Sequence, residues 1–557
     1  MKMIIGRIIE VTANKISCEL VNNCVPFNFQ GEVYDLESVG SLLSIYDKYK
    51  RYTLIYQVTK IYEKEQIYLK NETSKSKNII ALDAIPLAEI SSQGIDFGVN
   101  RFPMVGEPIT LSEIEEVKLI YSHNQTGVII GEVNSNFNIK PRFNNKKLFS
   151  SHVSIFGNTN SGKSTTIAKI LKETLQIEPE FNSLVFDVHD EYEIEGALKI
   201  SIDDISIDPC YVSIEDWVNL INPSSLVQLP ILINGIKLAH NLKDKIPEEL
   251  AAFIGYSAFN SNIETASTKL IFVKKYAGYI NNEKVQAALK DFTLSYGNFS
   301  KADLLMEGLS ERFIELTSTS IHDGESLIID TYLNNNDPVV TMETIKDGIN
   351  IALTLEESRG NLQVRSHCQT MMTRIDLLLS HFKRFFEDNT HKRQTFDDLI
   401  NNVGTKIINV SSLDDDLLKF ITHLILRITF LKQKSNKQAK QINFIFDEAH
   451  KYIRKNQVTD DLVRNIFDTI AREGRKFKLF LCICSQQPHE LSSTVVSQCG
   501  NFILHRLKNN LDLEFIKKSN PYITENQISR LSSLPTGTAL ILGDAIPIPI
   551  ELKIEKK

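Results

Sequence analysis

A chain of 557 residues exceeds what one ordinary core buries, so its length predicts three or four domains. At 42% hydrophobic and 24% charged residues it reads as a globular protein without an apolar run of the about eighteen residues that crosses a membrane, which excludes a membrane partner. The net charge of −7 does not advertise a nucleic-acid surface, although a ring that is acidic outside and basic only at its pore loops stays compatible with DNA. Seven cysteines with no Cys-x-x-Cys pair point to a reducing compartment rather than a disulfide framework or zinc knuckle. The start, MKMIIGRIIEV, lacks the apolar core and cleavage site of a signal peptide, and a cytoplasmic location is expected.

Residues 1–115 carry short alternating runs (MIIGRIIEV, KISCEL, YTLIYQVTKIY) separated by Asn-, Gly- and Lys-rich turns, which predicts a small antiparallel barrel or sandwich. From about Gly127 to Tyr192, strand-like runs VIIGEV and SLVFDV flank the stretch IFGNTNSGKSTTIAKILKETL, an apolar strand end, a loop of small residues and a helix with Ile167, Ile170, Leu171 and Leu175 on one face. Between 201 and 400 the pattern turns helical; Met371, Ile375, Leu378, Phe382 and Phe385 form a stripe expected to be the core of a bundle. Strand-like runs return as TKIINV, QINFIFDEAH and FKLFLCICS, so the helical region is read as an insertion within a parallel α/β core of residues 116–200 and 401–557. Cys482 and Cys484 are expected as buried small hydrophobes, and DDD at 414–416 as a solvated helix start.

The loop Gly157-Asn158-Thr159-Asn160-Ser161-Gly162-Lys163-Ser164-Thr165 matches the phosphate-binding pattern. Its glycines let backbone N–H groups turn around a β-phosphate, Lys163 reaches the β/γ-phosphates, and the Ser164 hydroxyl can ligate Mg²⁺. Hydrolysis needs more, and the apolar strand of INFIFDEAH delivers it: Asp447 to orient the Mg²⁺ water shell and Glu448 to polarise the attacking water. In DVHDEY, Asp187, His189 and Glu191 contain metal-ligating types, but pocket shaping and a place for Glu191 in the water network are the preferred reading. Downstream, a basic helix end with Arg472, Arg475, Lys476 and Lys478 enters a strand that finishes in Ser485-Gln486-Gln487. A polar tip there can sense a γ-phosphate, and an exposed arginine can reach a neighbour's site.

GNTNSGKST, FDVHDEY, FDEAH, AREGRKF, SQQPHELSSTVVSQC, ILHRLKN with Asp512 after it, and LPTGTALILGDAIPIPI occur in the order and spacing of the HerA-like ATPases of the HerA/FtsK superfamily, and the chain resembles them over the barrel and the ATPase core. RFPMVGEPI resembles the segment that closes their barrel, whereas the insertion matches only in position. The resemblance implies a RecA-like P-loop core behind an N-terminal β-barrel, ATP and Mg²⁺ as ligands, and a homohexamer that moves double-stranded DNA through its pore for a nuclease or other effector. It assigns catalysis to Glu448, sensing to Gln486 and the trans-acting arginine to Arg472 or Arg475, with Arg506 a lesser candidate. Asn160 departs from the usual loop glycine, and Gln487 stands where many relatives carry Arg. Two alternatives lose support: a DEAH helicase needs a second such domain, and an ABC-type ATPase needs an LSGGQ-like signature. A third stays open, a nucleotide-gated scaffold that activates an effector with little translocation of its own, because antiviral-defence relatives are encoded beside nuclease or NAD-consuming partners.

Overall fold

The computed structural model describes residues 4–555 apart from 22–26, 30–31, 35–38, 48, 50, 71–72, 122–126, 134–138, 225, 243–245, 264, 336–337, 341, 387–393, 437, 454–464 and 522. Alternation of apolar and polar residues folds the N-terminal part into a closed barrel. Its strands are β1 (Ile4–Val11), β2 (Ile16–Leu20), β3 (Leu42–Tyr46), β4 (Tyr52–Lys70), β5 (Thr73–Ser91) and β6 (Pro108–Leu111). All pairings are antiparallel, in the cyclic order β1-β2-β5-β4-β3-β6, so the expected barrel-or-sandwich resolves to a barrel. Ile5, Ile8, Ile16, Leu43, Ile45, Leu54 and Ile109 fill it, one inward residue per pleat, as closure without an open edge requires.

The second sheet has ten strands: β7 (Gly131–Val133), β8 (His152–Phe156), β9 (Ser183–Asp187), β10 (Leu198–Ser201), β11 (Thr405–Asn409), β12 (Ile442–Phe446), β13 (Leu479–Ser485), β14 (Cys499–Leu504), β15 (Thr538–Gly543) and β16 (Ile550–Ile554). The order is β7-β16-β15-β14-β8-β13-β12-β9-β11-β10, parallel from β14 to β10 and antiparallel at the β7 side. Strands β8, β9, β12 and β13 are buried at every residue, which is why they read as unbroken apolar runs. Period-two geometry splits each strand between two layers. On β13, Cys482 and Cys484 face the helix after the phosphate loop, α1 (Lys163–Ile177), together with Ile167, Ile170, Leu171 and Leu175; Leu481 and Ile483 face the opposite helices.

Between β10 and β11 the chain makes the helices Ile214–Ile221, Gln228–His240, Glu248–Asn260, Ala266–Ala277, Glu283–Lys290, Ala302–Thr317, Met342–Ser358 and Val364–Phe386. Met371, Ile375, Leu378 and Phe385 of the predicted stripe are buried; the side chain of Phe382 lies outside the described residues. Two helices of this layer cross at glycines, where a Cβ on Gly348 would stand 2.2 Å from the Gly235 carbonyl oxygen. An ion pair ties the layer to the core: Arg427, on the helix Asp415–Ser435, donates through Nε to Asp216 at 2.9 Å. The helix containing DDD starts with Asp414 as its cap, accepting from the Leu417 N–H at 2.9 Å. No helix of the described residues is long and apolar enough to cross a membrane.

Candidate nucleotide site

The phosphate loop leaves β8 at Phe156 and is fixed from both sides before it reaches α1. The Gly157 N–H donates to the Ser485 carbonyl at 3.3 Å, the Asn158 N–H to the Arg506 carbonyl at 2.9 Å, and the Gly537 N–H to the Ser161 carbonyl at 3.0 Å. A Cβ on Gly157 would come within 2.5 Å of both the His505 Cβ and the Ser161 Oγ, so glycine is dictated by crowding there. Gly162 has φ +115°, which only glycine adopts without cost, and Asn160 has φ +57°, where asparagine is the best tolerated side chain after glycine. The departure at Asn160 therefore keeps the loop geometry.

Helix α1 begins with no side-chain cap and no acid in its first turn. Its free N–H groups and the positive end of its dipole aim at the loop, and buried Lys163, whose Nζ donates to the Asn158 carbonyl at 3.2 Å, makes no ion pair among the described residues. A helix N-terminus that combines such a lysine with open N–H donors suits a polyanion. Ser164 and Thr165 follow on the first turn, half-buried.

Opposite, β12 delivers Asp447 and Glu448, which are 2% and 5% exposed. Burial, then the neighbouring charges of Glu448 and Glu191, raise the Asp447 carboxyl to about 6. Its Oδ1 accepts from the Glu448 N–H at 3.0 Å, while among the described residues its Oδ2 has no hydrogen-bond partner. Glu448 holds φ +48°, a left-handed conformation that costs a side-chain-bearing residue of order 1–3 kcal/mol and is found where a site needs it. From there its Oε1 accepts from the amide nitrogen of Gln486, at the tip of β13, and Gln486 Oε1 in turn accepts from the Thr159 hydroxyl on the phosphate loop. His450 Nδ1 lies 3.3 Å from Glu448 Oε2, too poorly aligned to satisfy that oxygen.

A buried Asp447 carboxylate oxygen left without a hydrogen bond among the described residues, beside the equally buried Glu448, fits Mg²⁺, a hard cation with oxygen ligands. Asp187 does not join. Its oxygens accept from the N–H groups of His189, Glu191 and Tyr192 at 3.2, 3.3 and 3.0 Å, which fastens the turn, while His189 and Glu191 point to solvent. Among the described residues no group of three or more His, Cys, Asp or Glu has the disposition of a metal cluster.

Residues 128–429, more than half of the chain, match the family described as Helicase HerA, central domain. The chain belongs to the HerA helicase family. It is an ATPase of that family. The DNA double-strand break repair helicase HerA of Sulfolobus acidocaldarius is 25% identical over 82% of this chain and 74% of its own length. That of Pyrococcus furiosus is 23% identical over 83% and 75%. Among solved structures, VirB4 of Thermoanaerobacter pseudethanolicus overlays 78% of this chain and 98% of its own at 14% identity with a TM-score of 0.42, a general likeness only.

The remaining predicted residues of this HerA chain lie elsewhere. Arg472 lies in the last turn of the helix Ile466–Glu473 and Arg475 in the short turn after it, both before β13 begins. Gln486 follows the other end of β13, and the strand's rise of ~3.3 Å per residue puts the two groups roughly 20 Å apart. Both arginines are exposed; Arg472 makes one weak contact to the Thr494 hydroxyl at 3.5 Å, and Arg475 makes none among the described residues. The segment is pinned by His152, whose Nδ1 accepts from the Leu481 N–H at 2.9 Å and whose Nε2 donates to the Ala471 carbonyl at 3.1 Å; burial lowers its pKa to about 4, so it is neutral. Arg506 sits instead beside its own phosphate loop, within 3.4 Å of the Thr536 hydroxyl. The Gln487 side-chain amide faces the Glu490 carboxylate.

Three residues of the site went unassigned from sequence although each lay inside a quoted motif. His505, fully buried and lowered to about 4 by burial and Lys163, bonds the Thr166 hydroxyl at 2.9 Å and forms the floor under Gly157 and Gly162. His450 flanks Glu448. Tyr192 is buried within the electrostatic reach of Asp447 and beside Ser164. Their motifs signalled importance; only the fold says which atom each residue faces.

Proposed function

We propose that this HerA-family chain is an ATP-driven double-stranded DNA translocase or helicase motor, working as a homohexamer in three parts: a barrel at 1–115, an ATPase core at 116–200 and 401–557, and a helical insertion at 201–400. The observation that carries the reading is the convergence of phosphate loop, acid pair and amide on one sheet edge, joined by hydrogen bonds from Thr159 through Gln486 to Glu448. Loop N–H groups and Lys163 hold the phosphates, and Glu448 takes the proton of the attacking water from the opposite strand. Gln486, touching both sides, senses the γ-phosphate. Mg²⁺, brought with ATP, would be held by Ser164 and, through water, Asp447, and would neutralise phosphate charge. Arg472 or Arg475, too far from its own loop, completes a neighbouring subunit's site. The relatives' printed names, DNA double-strand break repair helicases, support DNA as the track. A nuclease or NAD-consuming effector in antiphage defence is the proposed partner, and the cytoplasm the proposed location.

The test is ATP turnover with and without linear duplex DNA, measured across salt, with native mass spectrometry of the assembly. Turnover should rise with duplex, independently of its sequence, and the effect should fade steeply as salt rises because phosphate contacts release counterions. Absence of stimulation, together with no duplex binding at low salt in a non-hydrolysable ATP analogue, would replace the motor by a nucleotide-gated scaffold.

A further inference from the structure

We propose that Thr159 is a positioning residue that holds the Gln486 amide with its nitrogen toward Glu448. The inference rests on the assignment of Glu448 as the water-polarising group. A primary amide has an acceptor end and a donor end, and a carboxylate only accepts. Turned one way, Gln486 donates to Glu448 Oε1; turned the other, it would set oxygen against carboxylate oxygen. The carboxylate thus decides which end faces it, and the hydroxyl of Thr159 anchors the other end on the phosphate loop by donating to Gln486 Oε1; among the described residues it is the side chain that does so.

Thr159 is exposed at the loop tip, yet the backbone on either side is not free. Asn158 is bonded through its N–H to the Arg506 carbonyl at 2.9 Å and through its Oδ1 to the Lys508 N–H at 3.1 Å, and the Ser161 N–H donates to the Asn158 carbonyl at 3.2 Å. The hydroxyl therefore acts from a fixed platform. Because this platform is also the phosphate loop, the amide and the carboxylate behind it are held in place relative to the loop. Phosphate binding and water activation are thereby kept in register by one hydroxyl that touches neither the water nor the scissile bond.

The experiment compares Thr159→Val, Thr159→Ser, Gln486→Ala and the Thr159→Val/Gln486→Ala double variant for kcat and KM of ATP turnover and for Kd of ADP and a non-hydrolysable ATP analogue. Thr159→Val should lower kcat about tenfold or more with KM and Kd within about threefold, Thr159→Ser should stay near wild type, and Thr159→Val should add under about twofold to Gln486→Ala. Wild-type kcat in Thr159→Val, a loss confined to affinity, equal failure of Thr159→Ser, or multiplying effects in the double variant would each overturn the proposal. Glu448→Gln serves as the control: turnover at the wild-type rate there would remove the underlying assignment, whereas an inactive Glu448→Gln beside a fully active Thr159→Val removes only the role of Thr159.

Discussion

The two ends of the central parallel strands are built on opposite terms. At the carboxyl end, Lys163, Asp447, Glu448 and Gln486 are buried or half-buried and tied across three strands. At the amino end, the backbone is equally fixed, with His152 clamping Ala471 and Leu481, but the side chains of Arg472 and Arg475 stand in solvent with almost nothing to bind among the described residues. Ordinary surface arginines on this chain do find carboxylates, as Arg51, Arg101 and Arg530 show. The comparison teaches that one end gathers its polar groups into contact within a single chain, and that the other holds exposed cations on a fixed backbone with little set against them.

The largest effect should come from breaking the amino end alone. Arg475→Ala or Arg472→Ala should leave nucleotide affinity intact while turnover falls by about 10³ to 10⁵, the worth of a trans-acting arginine. Mixing the inactive arginine variant with an inactive Lys163→Ala chain should restore part of the activity, since some interfaces then pair intact groups; mixed assemblies that form and stay dead would place the arginines within their own subunit. Next, the carboxyl end: Glu448→Gln keeps the shape of the site and the bond to Gln486 while losing the base, so ATP should bind and persist with turnover down about 10² to 10⁴. Single-turnover chemistry at the wild-type rate would exclude Glu448 as that base.

A smaller effect is expected on stability. The Asp447 carboxyl titrates near 6 when folded and near its ordinary value of 3.8 when unfolded. The folded state therefore holds its proton more tightly, and stability is progressively lost as pH rises from about 4 past 6. Asp447→Asn should accordingly melt higher than wild type at pH 8, by about 1–3 kcal/mol, with the difference closing near pH 4 when both are measured without Mg²⁺ or nucleotide. A difference of the same size at both pH values would show that packing, not charge, is responsible. The smallest change is Asn160→Gly: both residues accept φ +57°, and stability should shift by under about 1 kcal/mol with turnover unchanged. A tenfold change in rate would give the Asn160 side chain a function of its own.

Legibility from sequence followed the same division. The carboxyl end could be read because its chemistry is local: Gly157, Gly162, Lys163 and Ser164 are consecutive turn and helix-start residues, and Asp447-Glu448 end an apolar run. The parallel core showed itself because strands buried on both faces are continuous apolar stretches. What could not be read is what depends on long-range register. Nothing local says that Gln486 meets Thr159, that His505 lies beneath Gly162, or that β6, which starts at the end of RFPMVGEPI, completes a ring of strands rather than a sandwich, because both closures have the same alternation. The distance of Arg472 and Arg475 from Gln486 likewise appears only when β13 is drawn as an extended strand between them.

The position of β8 in the sheet has a consequence for the birth of the protein. Its two neighbours, β13 and β14, come late: 329 residues separate His152 from Leu481, to which it is bonded. At ~5–20 residues per second, synthesis takes roughly 16–65 s to cover that interval. Throughout it, β8 waits without either neighbouring strand, while the N-terminal barrel, whose strand pairings all lie within the first 111 residues, can already close. The ribosome thus hands over a barrel able to close while the strand that leads into the phosphate loop is still without its neighbours.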